Sequence, residues 1–251
     1  MFLESLKILT AVLALAPTMT LHQGNSVNDS FNKSKAALEE QVYFDHRETL
    51  YCGAQFDAHK NVTLPAGFKT DKYPKRAMKV EWEHVVAAEN FGRSFKEWRE
   101  GHPSCVNSKG KPFKGRRCAE LANKEYRLMQ ADMYNLYPAI GSVNAARQNY
   151  NFQMLTHAQS DFGSCQVKIE GRRVEPPERA RGQIARSYFY MAYSYRPFFK
   201  MSRQQYHLMK AWDKIYPVDA WECKRAKRIE SIQKNENVFV KQPCIAAGLW
   251  N

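Results

Sequence analysis

Between Met78 and Val86 the apolar residues Met78, Val80 and Trp82 alternate with Lys79, Glu81 and Glu83. A period of two sends successive side chains to opposite faces of an extended chain, so this stretch predicts a half-buried strand with His84 at its far end. Elsewhere the period is helical. Ala37, Leu38, Val42 and Leu50 recur at roughly helical spacing from Ala36 to Glu48 and just beyond, and Ser94–Arg99 predicts a short helix. After Pro138 the run Ala139–Tyr150 has helical character, weakened only at its start by Gly141. Pro176 and Pro177 introduce a helix over Glu178–Tyr195, ended by Pro197, in which Ile184, Tyr188 and Met191 share a face. Its Arg179, Arg181 and Arg186 are expected near the surface. Two more helices are predicted, over Ser202–Ile215 and over the basic stretch Trp221–Lys234.

The rest of the pattern is punctuation. Cys52–Phe68, broken by Gly53, Pro65 and Gly67, reads as short strands and loops, and Gly101–Gly115 as an exposed basic loop. The sum is an α+β fold, a single mixed domain rich in helix. At the N-terminus the apolar run Ile8–Ala16 follows Met1–Lys7; it is too short to span a bilayer and long enough for the core of a signal peptide. Residues 1–23 are therefore expected to be a signal peptide removed between Ala16 and Gly24. Residues 24–35, rich in Asn, Ser and Lys, are expected to be a flexible lead-in, and 36–251 the folded domain. No later run is apolar for long enough to cross a membrane.

Export changes how the cysteines are read. Six of them in an exported chain favour three disulfides, and no pair has the CxxC spacing of a zinc knuckle or redox motif. Sequence order suggests local Cys105–Cys118 and Cys223–Cys244 bridges, leaving Cys52–Cys165. The 38 Lys+Arg against 25 Asp+Glu leave a formal charge of +13, which points to an anionic partner, nucleic acid or a membrane surface, although it would also keep an exported protein soluble. The absence of HExxH excludes the commonest zinc-peptidase motif.

Hydrolysing a phosphodiester needs a water, a group to take its proton, and positive charge near the oxygens of the phosphate. Glu83-His84 at a strand end can supply a metal ligand and a base, but adjacent strand residues face opposite ways, so both serve one site only if the strand bends there. The dipeptide does not stand alone. Glu81-Trp82-Glu83-His84-Val85-Val86, then Asn90-Phe91-Gly92, the run from Met129 through Asp132 and Asn135 to Gly141, Val143-Asn144, the run Pro176–Gly182 and Tyr216–Cys223 follow in one order. Together they closely resemble the endonuclease I family of periplasmic and secreted nucleases, over nearly the whole chain from Ala36 onward.

That resemblance implies a His-Me finger (ββα-metal) core and Mg²⁺-dependent, largely sequence-non-specific cleavage of DNA, and of RNA, to 5′-phosphate products by a periplasmic or secreted monomer. It makes His84 the general base and Glu83 and Asn144 the metal ligands. Asn135 is the competing ligand, its other use being a hydrogen bond to its loop or to His84. For the arginine that contacts the scissile phosphate, Arg99 is the nearest candidate and Arg147 another. Arg116, Arg117, Arg179, Arg181 and Arg186 are candidates to track the nucleic-acid backbone, and Trp98, Tyr134 and Tyr188 to stack on bases. The chain departs from the family at Ala87, usually Pro, and at Gln130, where an acidic residue is common. The alternatives are a cationic protein that only coats nucleic acid and a nuclease confined to RNA.

Overall fold

The computed structural model describes residues 24–250; the expected signal peptide lies outside them. Helix α1 (Phe31–Ala37) continues into a π-helical stretch, Leu38–Val42, before strands β1 (Gln55–Phe56) and β2 (Val62–Thr63) form a small antiparallel pair. Strand β3 (Val80–His84) follows, then short helices α2 (Ala88–Gly92), α3 (Lys96–Arg99), α4 (Arg116–Ala122) and α5 (Lys124–Gln130). These lead to β4 (Leu136–Ile140), antiparallel to β3, and directly to α6 (Gly141–Arg147). In a third sheet β7 (Arg173–Glu175) lies between parallel β5 (Asn151–Phe152) and antiparallel β6 (Lys168–Glu170). Four helices close the chain: α7 (Glu178–Ser194), α8 (Arg203–Ile215), α9 (Ala220–Gln233) and α10 (Val238–Ala246). The result is a helix-rich mixed α+β domain, and no described helix is long and apolar enough to cross a membrane.

Local chemistry sets the later helix starts. The side chains of Ser202, Asp219 and Asn237 accept hydrogen bonds from the amides of Gln205, Glu222 and Phe239, satisfying donors that have no partner within the first turn. The core gathers around α7, whose Ala180, Ile184, Ala185, Tyr188 and Met191 are buried and which packs along α8 and against α10. As expected, Ile184, Tyr188 and Met191 share the buried face. All three bridges, Cys52–Cys165, Cys105–Cys118 and Cys223–Cys244, have the pairing that sequence order suggested.

Three expectations change. The segment after Pro138 does not begin as helix: Pro138 stands inside β4, opposite Trp82, and Ala139 and Ile140 complete the strand. Hydrogen bonds of Val85 with Asn135 and of Lys79 with Gly141 fix the alternation, which puts Pro138 at a non-hydrogen-bonded pair where its missing N–H leaves no gap in the ladder. The described part of the expected lead-in is packed. Asn25 is buried, donating from its backbone to the Tyr195 hydroxyl at 2.7 Å and from Nδ2 to the Leu128 carbonyl at 2.9 Å, while the Ser34 hydroxyl donates to the Ala131 carbonyl at 2.5 Å. The Asn and Ser side chains that suggested flexibility are the groups that make these bonds.

Arg181 and Arg186 are the third correction, because the face of α7 that carries them is covered by α8, α9 and the segments that lead into them. Arg186 is 2% exposed and pairs with Glu222 at 2.5 Å and Asp213 at 2.9 Å; Arg181 pairs with Glu175 at 3.0 Å. Arg179 stays partly exposed yet is engaged by the Thr49 and Leu50 carbonyls and by Glu48. None of the three is a free backbone-tracking cation.

Loop length ranks the disulfides. Cys52–Cys165 closes 113 residues and Cys105–Cys118 only 13, so the chain-entropy cost of losing the first is larger by about 2 kcal/mol. Denaturant unfolding of the Cys52→Ala/Cys165→Ala and Cys105→Ala/Cys118→Ala double variants should show that order; equal losses would contradict it.

Candidate active site

The strand–strand–helix unit β3–β4–α6 carries the reactive groups. Helix α6 starts at the residue after β4, and its first residue must be small: a Cβ on Gly141 would lie 2.5 Å from the Arg76 carbonyl oxygen. That close approach brings Asn144 beside β3. Its Nδ2 donates to Glu81 Oε2 at 2.8 Å, and Glu81 is itself gripped by Arg76. A carboxylate only accepts, so the amide nitrogen of Asn144 faces Glu81 and its Oδ1 is the atom left for a ligand.

Glu83 and His84 share one cavity of about 390 Å³ with Asn144, Arg147, Arg116 and Trp98. Two neighbours from one strand reach the same space because β3 ends at His84 and the chain bends at Val85–Val86. Asn135 holds that bend: its Oδ1 accepts from Val86 N at 2.7 Å and its Nδ2 donates to Val86 O at 2.9 Å, both buried. The whole amide is spent on backbone, so Asn135 is corrected from ligand candidate to loop anchor.

The His84 imidazole lies against Phe31, with ring centroids 5.0 Å apart, and its Nε2 is 2.8 Å from the Gln130 carbonyl oxygen. A carbonyl cannot donate, so Nε2 carries the hydrogen and the neutral ring keeps its lone pair on Nδ1. Burial, aided by the positive charges of Arg116, Arg147 and Lys35, pushes the His84 pKa down to about 3. Because the main chain of residue 130 holds the ring, the departure to Gln leaves that contact intact; the Gln130 side chain donates to Glu120 instead.

Glu83 Oε1 accepts from the Tyr51 hydroxyl at 2.7 Å and lies 3.1 Å from Arg147 Nη1. Burial raises the Glu83 carboxyl, with Arg147 and Tyr51 acting against it. Arg147 is 1% exposed and also donates to the carbonyls of His84 at 2.7 Å and Val85 at 2.6 Å. It is not the surface ion pair weighed from sequence; buried, it ties α6 to the end of β3 and also lines the cavity. Arg99 is turned away, donating to the Arg93 carbonyl at 2.7 Å, and does not line the cavity. Arg116, expected only to track backbone, is the exposed arginine on the cavity wall, 3.4 Å from Glu120. Arg117 is exposed, lying 5.2 Å from the Phe113 ring centroid. Among the aromatic candidates Trp98 lines the cavity, whereas Tyr134 and Tyr188 are core residues, each 1% exposed.

A neutral imidazole with a free lone pair, a carboxylate, an amide oxygen and an arginine meet in one cleft, the kinds of group that phosphodiester hydrolysis asks for. The sequence profile of the endonuclease I family matches residues 17–244. The chain belongs to the endonuclease I family. It is 36% identical over 245 residues to an extracellular deoxyribonuclease of Aeromonas hydrophila, covering 94% of this chain and 98% of that one. It is 38% identical to a periplasmic deoxyribonuclease of the same species over 81% of this chain and 82% of the relative. With the Endonuclease-1 of Buchnera aphidicola subsp. Acyrthosiphon pisum (strain APS) it shares 39% identity over 78% of this chain and 74% of the relative.

In this endonuclease the residues that sequence reasoning missed are the holders of the reactive groups: Tyr51 for Glu83, Glu81 for Asn144, and the Gln130 carbonyl for His84. Only Glu81 carried a local signal, two residues before Glu83 on the strand. The buried imidazole has a consequence for stability. The unfolded chain takes up a proton at His84 near pH 6.5 and the folded one only near pH 3, so stability is unaffected above pH 6.5 and falls as pH drops through that window. Between pH 7 and pH 5 the endonuclease should lose about 2 kcal/mol more than its His84→Gln variant in urea unfolding. Parallel losses would contradict a neutral buried His84.

Proposed function

We propose that this endonuclease hydrolyses the phosphodiester backbone of DNA, and of RNA, with little regard to sequence, and that His84 activates the attacking water. The observation that carries this reading is the tautomer of His84: Nε2–H is committed to Gln130, which leaves the Nδ1 lone pair free on a residue that lines the cleft. A water on Nδ1 loses its proton there as it attacks phosphorus. Arg116, on the same wall, is placed to neutralise the non-bridging oxygens. Trp98 beside it offers a flat apolar surface to a base or sugar.

The donor set fits Mg²⁺. The described residues contain no group of three or more His, Cys, Asp or Glu able to hold a metal ion, which argues against a caged transition metal. One carboxylate, Glu83, and one amide oxygen, Asn144 Oδ1, are hard ligands that leave most of an octahedral shell to water and phosphate. When bound, the ion supplies positive charge beside the scissile phosphate and its leaving 3′ oxygen, consistent with 5′-phosphate products. Tyr51 and Arg147 fix the Glu83 carboxylate, and Glu81 fixes the Asn144 amide, so neither ligand has to be ordered when the ion arrives. The β3–β4–α6 unit, with the base at a strand end and the second ligand on the helix, supports the His-Me finger reading.

None of these groups is aimed at a base edge, and none needs a 2′-hydroxyl, which supports indifference to sequence and action on both nucleic acids. Three disulfides and the likeness to extracellular and periplasmic deoxyribonucleases support a periplasmic or secreted enzyme that acts on DNA.

His84→Ala should slow plasmid nicking by about a thousandfold while leaving salt-dependent DNA binding in place. Retained nicking would sink the base assignment, and binding without any cleavage by the wild-type protein would favour a coating protein instead. Asn144→Ala should raise the Mg²⁺ concentration for half-maximal rate by at least about tenfold, and a chelator should stop cleavage. An unchanged Mg²⁺ requirement would remove Asn144 from the ligand set. Degradation of RNA but not DNA would confine the substrate to RNA.

A further inference from the structure

Next to the catalytic cavity lies a larger groove of about 720 Å³. Asn149 lines both, so they are adjacent. We propose that this groove is the subsite for the nucleotides that flank the scissile phosphate; the assignment rests on the nuclease reading above. Its wall carries Arg93, Arg172 and Lys200 together with Tyr150 and Phe198, and no carboxylate lines it. Cations meet phosphates and aromatic faces accept bases of any identity, which is the combination a strand of unspecified sequence requires. Gln205 lines the groove as well, and its side-chain nitrogen has no hydrogen-bond partner within the protein.

The floor is fixed in advance. Asn149 Nδ2 donates to Glu89 at 2.7 Å and Asn90 Nδ2 to Asn151 at 3.0 Å, tying the chain that leaves α6 to the start of α2. Glu89, which also pairs with Arg93, lines the catalytic cavity.

Arg172 is the most telling residue. It occupies the two-residue turn between β6 and β7, where Gly171 has φ 53° and Arg172 itself φ 60°. Positive φ at both positions marks a type I′ turn, which favours Gly or Asn; an arginine holds that conformation against its backbone preference. Its guanidinium lies 6.0 Å from the Tyr150 ring centroid at the groove wall. A cation over an aromatic ring presents charge to a phosphate beside a flat face for the adjoining base.

This geometry allows a test in which stability and binding move apart. Arg172→Asn removes the charge and suits the turn, so its melting temperature should equal or exceed that of the wild type. In chelator, where nothing is cut, its Kd for a fluorescent single-stranded DNA oligonucleotide should rise about three- to tenfold, and the slope of log Kd against log salt should shrink by about one. With Mg²⁺ the KM for that oligonucleotide should rise with kcat unchanged. Tyr150→Ala should weaken binding with the salt slope intact. Wild-type affinity and salt slope in Arg172→Asn would overturn the subsite, as would a fall in kcat with KM unchanged. If the wild type binds but does not cut, the catalytic reading fails while the Kd comparison still decides the groove.

Discussion

The Arg147 guanidinium reaches from the last turn of α6 to three acceptors at the end of β3: the main-chain oxygens of His84 and Val85 and the carboxylate of Glu83. It does so out of contact with water, with the Phe152 ring 4.9 Å away. A planar fork with five donors can satisfy several acceptors at once, which an ammonium on a flexible stem cannot do with the same geometry. Removing one partner of such a buried pair leaves an uncompensated charge and costs about 3–5 kcal/mol. The same contacts explain how a strand with alternating faces delivers two neighbouring side chains to one cleft: the strand stops at His84, and Arg147 and Asn135 hold the backbone where it turns.

Around this clamp each candidate group has a further partner that fixes its orientation and leaves one atom for chemistry. Gln130 takes Nε2–H of His84, Glu81 takes the Asn144 amide nitrogen, and Tyr51 caps one oxygen of Glu83. The segment that holds His84 is anchored in turn. Asp132, two residues after Gln130, accepts from the hydroxyls of Tyr190 and Tyr195 at 2.6 Å each and from the Asn25 backbone at 3.2 Å. Asn25 bonds the Leu128 carbonyl and Ser34 the Ala131 carbonyl, on either side of Gln130, so the N-terminal segment belongs to the support of His84. Phe31 from α1 closes one face of the imidazole and helps to depress its pKa by excluding water.

The features legible in the sequence were those with local causes. Alternation revealed β3, prolines bounded α7, and cysteine order gave the bridges. The resemblance through Glu83-His84 and Asn144 named three residues that the fold does bring into one cavity. What was illegible depended on partners far along the chain. Arg186 reads as a surface cation until Glu222 is placed beside it, Arg181 until Glu175 is, and Arg147 until the backbone of β3 is. β4 was hidden because Pro138 speaks against a strand unless the register is known. The sequence favours Arg99 over Arg116 for the scissile phosphate, yet only the path of the loop after α3 decides that Arg116 is the one to line the cleft.

The account stands on Arg147 holding His84 and Glu83 in place, so the most direct test is the kinetics of Arg147→Lys in samples whose circular dichroism shows a native fold. A lysine keeps the charge and cannot reach all three acceptors, so kcat on plasmid DNA should fall by about a hundredfold with KM nearly unchanged, and added Mg²⁺ should restore only part of the loss. A folded Arg147→Lys protein with wild-type kcat would contradict the account, because the strand end would then hold its geometry without the clamp.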